Sequence, residues 1–414
     1  MHLNSPKRQE NRRDNQDLFR ASVGSLDLLS ISQALRWLRD EAPYPYPTSI
    51  HLNLTLRCTA QCVHCKQWTW PVHSEFTIDQ LDRLFDIFRT WGVKTVTFGG
   101  GNPLLHRHIS EALRMAYEKG LRISIISEGI ELSEKLADAI CQYAVWIRFS
   151  LDGPRSEIHD IIRNKQGLWN TVVQNVRILK SRQSALRIGF NCLVQKANLH
   201  CLSEMIELGQ SIDLDTVLFK VPHGNDSDRH YLLSAKQWEV FTKWVHSKAQ
   251  FDTGHLQTNL PQLSTLLGTV FKDEDVLHGR PVKSFYRQGK VHCFAPLFFL
   301  TCDSEGKMYP CDYLQADTRF WGGKYERVRD EYCLGNVLDD SQKILENLAE
   351  MLRHRIHDLP SIGYDECGCC TRFCQLNASL SILKKQLQNL IINEEHLENA
   401  LGRRPDEMAD SQFL

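Results

Sequence analysis

The sequence predicts an α/β protein built on a parallel sheet, followed by a small cysteine-rich α+β region. Two observations carry this. From Ile50 to Val221, short β-rich runs alternate with amphipathic helical stretches, the order that gives parallel strands joined by right-handed crossovers. Eight of the 14 cysteines then crowd into residues 293–374, among turn residues. Composition agrees with a globular chain, since hydrophobic residues make up 42% and charged residues 24% of 414 positions. A chain of this length buries at least one large core.

Residues 1–48 read as a polar segment and a helix. The first 20 are polar and expected to be disordered. Within 25–40, Leu28, Leu29, Leu35 and Leu38 fall at helical intervals, before Pro43-Tyr44-Pro45-Tyr46-Pro47 imposes an extended linker. Residues 49–222 form the main domain. Its strand candidates are Ile50–Leu56, Thr95–Gly99, Arg122–Ser127, Val145–Leu151, Arg187–Val194 and Thr216–Val221, with helical patterns at 77–91, 107–119, 132–142, 168–182 and 199–210. Six such units make either a partial barrel or an open doubly wound sheet, and periodicity does not separate the two. Both place sites at the carboxyl ends of the strands. Residues 223–290 read as a helical linker region, with helices near 234–248 and 261–268. Residues 291–376 are the cysteine-rich domain. Residues 377–414 hold a last helix near 378–401, with Leu380, Leu383, Leu387, Leu390 and Ile391 on one face, and a tail.

Charge excludes some partners. Lys plus Arg number 49 against 50 Asp plus Glu, so no global field recruits nucleic acid or an anionic membrane. There is no signal-peptide core, and no apolar run is long enough to span a bilayer. These features predict a cytoplasmic protein. In a reducing compartment, clustered thiols read as metal ligands or catalytic groups rather than disulfides. Cys141, Cys192 and Cys201 stand apart, inside apolar patterns, and read as small buried hydrophobes.

The first thiol group follows the first strand directly, as Cys58-Thr59-Ala60-Gln61-Cys62-Val63-His64-Cys65. A loop this short can wrap three thiolates around one inorganic centre. A [4Fe–4S] cluster normally takes four cysteines, so three would leave one iron open. The alternative is a zinc site completed by a residue such as His64.

The Cys-x3-Cys-x2-Cys spacing after a first strand resembles the radical S-adenosylmethionine enzymes. The resemblance implies a partial (β/α)6 barrel. It implies a [4Fe–4S] cluster on Cys58, Cys62 and Cys65 whose free iron binds S-adenosylmethionine, and His64 lying against the adenine. An electron from the cluster would split the sulfonium into methionine and a 5′-deoxyadenosyl radical, with flavodoxin or ferredoxin as the type of electron donor. Phe98-Gly99-Gly100-Gly101-Asn102-Pro103 is similar to the family's Gly-Gly-Glu-Pro segment, with Asn102 in place of the acid. There Gly100 and Gly101 would admit the methionine moiety, and Asn102 would accept a hydrogen bond without charge assistance. Ser127-Glu128-Gly129 stands where many relatives have Thr-Asn-Gly, making Ser127 a cofactor contact and Glu128 a candidate substrate contact. Phe149-Ser150-Leu151-Asp152-Gly153-Pro154, His159-Asp160 and Arg163 resemble the fourth-strand stretch. Ser150 would meet the ribose or methionine part, and Arg163 the carboxylate.

The second thiol group comprises Cys293, Cys302, Cys311, Cys333, Cys367, Cys369, Cys370 and Cys374. Asp303-Ser304-Glu305-Gly306-Lys307 predicts a hairpin that brings Cys302 toward Cys311. Spacing alone leaves zinc and iron–sulfur readings open. Cys293-x12-Gly306-x4-Cys311 and Leu334-Gly335-Asn336-Val337 resemble the SPASM or twitch extension of the same enzymes. That resemblance implies one auxiliary [4Fe–4S] cluster, with two as the alternative. Its ligand set would be Cys293, Cys311, Cys367 and Cys370, with Cys302 or Cys374 as rivals.

The expected activity is hydrogen-atom abstraction from a ribosomally made peptide, ending in a cross-link, epimerisation or dehydrogenation. Epimerisation would need a hydrogen-donating thiol, for which Cys192 is the candidate. The alternatives are oxidation or epimerisation of a small natural product such as an aminosugar, and a non-catalytic zinc-binding scaffold.

Overall fold

The computed structural model describes residues 47–65, 74–220, 230–264 apart from 252 and 262, 299–310 and 332–358. One sheet organises them. Strands β1 (Ser49–Thr55), β2 (Thr95–Gly100), β3 (Arg122–Ser127), β4 (Ala144–Ser150), β5 (Arg187–Leu193) and β6 (Thr216–Lys220) pair in sequence order, all parallel. Helices α1 (Ile78–Thr90), α2 (Ile109–Glu118), α3 (Glu134–Tyr143), α4 (Ser156–Arg163), α5 (Leu168–Ser181) and α6 (Leu202–Ser211) lie between them. This is the expected partial barrel. Helix α4 is an addition: its buried residues are His159, Asp160, Ile162 and Arg163, so three of the four are polar and no apolar stripe marks it in the sequence.

Local sequence explains the helix ends. Thr77 opens α1 with a capping box, its hydroxyl taking the Gln80 N–H while Gln80 returns to the Thr77 N–H. The buried face of α1 is Leu81, Leu84, Phe85 and Phe88, the spacing of one helical stripe. Ser234 caps α7 (Ala235–Lys248) in the same way. A short strand β7 (Gln257–Thr258) extends the sheet beyond β6, and helical residues begin again at 260.

The other edge holds a difference from expectation. Strand β8 (Phe299–Cys302) pairs in parallel with β1, and β9 (Lys307–Tyr309) returns antiparallel beside it through the expected hairpin turn. Strand β10 (Gly335–Asn336) completes a ten-stranded sheet in the order β10-β9-β8-β1-β2-β3-β4-β5-β6-β7. The hairpin taken as part of a separate small domain therefore continues the barrel's own sheet. Helix α8 (Ser341–Asp358) follows, with Ile344, Leu345 and Leu348 buried. The helices expected at 25–40 and 378–401 lie outside the described residues.

The two faces of the sheet differ in chemistry. Ile50, Leu52, Leu54, Val96, Phe98, Ile123, Ile125, Ile147, Phe149, Ile188 and Phe190 belong to one apolar core, each buried side chain adding about 1.5–3 kcal/mol over exposure. Alternation sets the other residues on the opposite face. There the lateral pairs are His51 with Thr97, Thr97 with Ser124, Ser124 with Trp146, and Ser150 with Asn191. The barrel interior is thus polar, and Arg148 stacks over Trp146 on that face, 4.1 Å from the ring centre.

Candidate active site

The loop after β1 carries Cys58, Cys62 and Cys65, all free thiols. A turn closes it, with the Cys65 N–H donating to Cys62 O at 3.1 Å. The Val63 N–H donates to Ile162 O at 3.0 Å, anchoring the loop to α4. Burial raises the Cys58 and Cys62 thiols above their ordinary range; Glu128 adds to this at Cys58, whereas Arg163 partly offsets it at Cys62.

The glycine segment at the end of β2 packs on this loop. The Gly101 N–H donates to Thr55 O at 2.8 Å and the Asn102 N–H to Arg57 O at 2.7 Å. Gly100 has φ +102°, and a Cβ there would sit 2.4 Å from Thr55 O. At Gly101 a Cβ would meet Arg57 O at 2.3 Å. These glycines therefore serve close approach of backbone to the cysteine loop itself.

Asn102 and Ser127 form a locked pair. Asn102 Oδ1 accepts from Ser127 Oγ at 2.8 Å and from the Leu104 N–H at 3.2 Å, and Ser127 Oγ takes the Gly129 N–H at 2.9 Å. That leaves Asn102 Nδ2, fully buried and without a partner, as a donor. The carbonyl oxygen expected to receive the cofactor is already engaged, so Asn102 presents an N–H instead.

Glu128 departs from its expected role. It is 4% exposed and turned toward the cysteine loop rather than a substrate space. One carboxylate oxygen accepts from the Thr59 N–H and Thr59 Oγ1, each at 2.7 Å. The other accepts from the Ala60 N–H at 3.1 Å and lies 3.0 Å from Cys58 Sγ.

From α4, Arg163 approaches Cys62, Nη1 to Sγ 3.6 Å. Its Nε lies 2.7 Å from Asp152 Oδ2. Burial disfavours the Arg163 charge, but Asp152 and Cys62 outweigh it and raise its pKa. Asp152 takes the Leu193 N–H at 2.8 Å through Oδ1. His159 Nδ1 accepts from the Asp152 N–H at 3.0 Å. Half-buried His64 sits edge-on to Tyr231, with ring centres 6.3 Å apart. Burial, then the Arg163 charge, lowers its pKa to about 4, so its ring is neutral near pH 7. Ser150 ends β4 beside Asn191.

Two predicted residues lie elsewhere. Cys192 shares the apolar face of β5 with Ile188 and Phe190, and is fully buried in the core. Strand alternation turns it away from the interior, so the hydrogen-donor role is withdrawn. Cys302 pairs in register with Leu52 and is likewise fully buried in that core, on the face that strand alternation turns away from the barrel interior. Cys293, Cys311, Cys367, Cys370 and Cys374 lie outside the described residues. Asp152 and His159 stood in the sequence as part of the fourth-strand resemblance with no role given to them, and Arg148 was not named. The signal was there for Arg148, a charged residue set between Ile147 and Phe149 in a largely apolar strand. For His159 only the residue type was legible, since its bond to the Asp152 N–H depends on how α4 folds back on the end of β4.

The Radical SAM superfamily signature matches residues 52–209, the span holding the thiol loop, the glycine segment, Glu128 and Arg163. The chain carries a radical SAM domain. It is a radical SAM enzyme, with relatives of the SPASM or twitch type, which sets aside the non-catalytic zinc scaffold. The AdoMet-dependent heme synthase of Methanosarcina barkeri is 25% identical, over 78% of this chain and 88% of its own length. The PqqA peptide cyclase of Bradyrhizobium diazoefficiens is 23% identical, over 72% of this chain and 74% of its own. Among solved structures, anSMEcpe with bound AdoMet and Cp18Cys peptide superposes with a TM-score of 0.54 at 18% identity, covering 86% of this chain and 98% of that one. That likeness shows the shared fold. Among the described residues, no helix is long and apolar enough to cross a membrane.

Proposed function

We propose that Cys58, Cys62 and Cys65 hold a [4Fe–4S] cluster, and that the enzyme uses S-adenosylmethionine to abstract a hydrogen atom from a ribosomally made peptide in the cytoplasm. The observation that carries the cluster reading is the convergence of the ends of β2 and β3 and of helix α4 on the thiol loop that follows β1. The glycine segment bonds Thr55 and Arg57, and Glu128 bonds Thr59 and Ala60. Arg163, held by Asp152, approaches Cys62, while Ser127 steadies Asn102 of the glycine segment. The donor chemistry fits, because three thiols suit an iron–sulfur centre and leave one iron free, although among the described residues no three such side chains already stand in metal-holding positions. When bound, that group supplies the electron that splits the sulfonium.

The chain's own residues do the rest. Arg163 favours the thiolate form at Cys62 by its charge. Asn102 offers its spare N–H to an acceptor such as a carboxylate or hydroxyl. His64, neutral, offers a ring face for an adenine. Ser150, Asn191, Arg148 and Trp146 line the polar interior where substrate would lie. An auxiliary cluster is assigned to Cys293, Cys311, Cys367 and Cys370, with Cys374 in reserve, and a flavodoxin or ferredoxin would deliver the electron.

The peptide reading is supported by the PqqA peptide cyclase relative. A small-molecule substrate is the second reading, favoured by the heme synthase relative, which aligns over more of this chain. Reconstituted enzyme incubated with short peptides encoded beside its gene, and separately with small natural products, decides between them. Peptide product forming in step with 5′-deoxyadenosine supports the first reading, and turnover of small molecules alone overturns it.

A further inference from the structure

We propose that Glu128 is a positioning residue for the cluster-binding loop, setting the shape of the turn around Cys58 and the electrostatic environment of its sulfur. The inference rests on the assignment of Cys58, Cys62 and Cys65 as cluster ligands and goes beyond it.

Glu128 stands at the end of β3, roughly seventy residues from the groups it meets, so its contacts tie separate parts of the chain. Its two oxygens accept from two consecutive backbone amides, Thr59 at 2.7 Å and Ala60 at 3.1 Å, and from the Thr59 hydroxyl at 2.7 Å. The Thr59 hydroxyl also receives the Lys165 ammonium. A carboxylate bonded to adjacent amides fixes both peptide planes, and with them the direction in which Cys58 leaves the turn. Burial makes each of these bonds costly to lose, since Glu128 is 4% exposed.

The same contacts bear on the electronic state of a bound cluster. Backbone N–H groups near cluster sulfurs stabilise the reduced, more negative state, and reduction potential follows hydrogen bonding and local charge. Here two such amides are turned to Glu128, and its own oxygen lies 3.0 Å from Cys58 Sγ. Both features disfavour added negative charge at that corner, and so lower the potential. Gln at 128 would keep one acceptor oxygen and replace the other with an NH2 that faces the sulfur and no longer accepts from the Ala60 N–H.

The test uses the full chain, purified and reconstituted without oxygen, as wild type, Glu128→Gln and Glu128→Ala. Iron and sulfide per chain, the electron paramagnetic resonance spectrum of the reduced protein, and the midpoint potential by dye titration are read. Glu128→Gln is expected to retain the cluster with a more positive midpoint and altered g-values. Glu128→Ala is expected to hold iron roughly 10-fold less tightly. Should Glu128→Ala fail to fold, the Gln variant alone decides. Wild-type potential and spectrum in Glu128→Gln overturn the inference. Wild type without a cluster at this loop would instead overturn the ligand assignment beneath it.

Discussion

Arg163 joins Asp152 to Cys62, its Nε 2.7 Å from the carboxylate and its Nη1 3.6 Å from the sulfur. Asp152 is fully buried and Arg163 nearly so. Removing the guanidinium leaves an uncompensated charge in the interior. Arg163→Ala is therefore expected to cost about 3–5 kcal/mol in chemical denaturation. Asp152→Asn together with Arg163→Met should recover part of that loss, because no unpaired charge remains. Equal stability of Arg163→Ala and wild type would mean the pair bears no load in the fold.

His159 predicts a dependence on pH. Burial first, and then the Arg163 charge, lowers its pKa to about 3, while Asp152 pulls the other way. The unfolded chain takes up this proton near pH 6.5. Between these values the unfolded state binds more protons, so acidification favours unfolding. The group alone should remove on the order of 3 kcal/mol between about pH 6.5 and pH 4. Denaturation curves across this range should show a shallower loss in His159→Gln, whose side-chain oxygen can still accept the Asp152 N–H. A slope equal to wild type would contradict the assignment.

Gly101 predicts a steric effect. An added methyl would meet Arg57 O at 2.3 Å, with Leu56 C and O at 2.6 Å. All three atoms are backbone, so nothing flexible can yield. Gly101→Ala should destabilise by about 1–3 kcal/mol and displace the start of the cysteine loop. Thermal melts read the first effect, and iron retention after reconstitution reads the second. Ala at Gly92, where a Cβ meets nothing but φ is +75°, is the control for backbone strain without contact. Matching losses of iron in the two variants would contradict a specific role for Gly101.

Much of the fold was legible because the signals were local and repeated. Each of the six barrel strands was placed within a residue or so, since apolar β-rich runs such as Arg122–Ser127 end at turn residues. The thiol loop was legible for the same reason, its three cysteines lying within eight residues. What escaped depended on distance. Glu128 reaches Thr59 and Ala60 across the fold, and no spacing encodes such a contact. Strand β8 joins β1 although some 240 residues separate them in sequence, and that pairing buries Cys302 beside Leu52. Cys192 was ambiguous at the level of residue type, and only strand register shows which face it takes.

The central claim is that three thiols of one loop hold the reactive cluster. Reconstituted wild type and the Cys58→Ala/Cys62→Ala/Cys65→Ala variant, both prepared without oxygen, are compared for iron content and S-adenosylmethionine cleavage. Wild type should hold about four more irons per chain than the variant and form 5′-deoxyadenosine, while the variant forms none. Equal iron in the two proteins, or cleavage by the variant, would contradict the account.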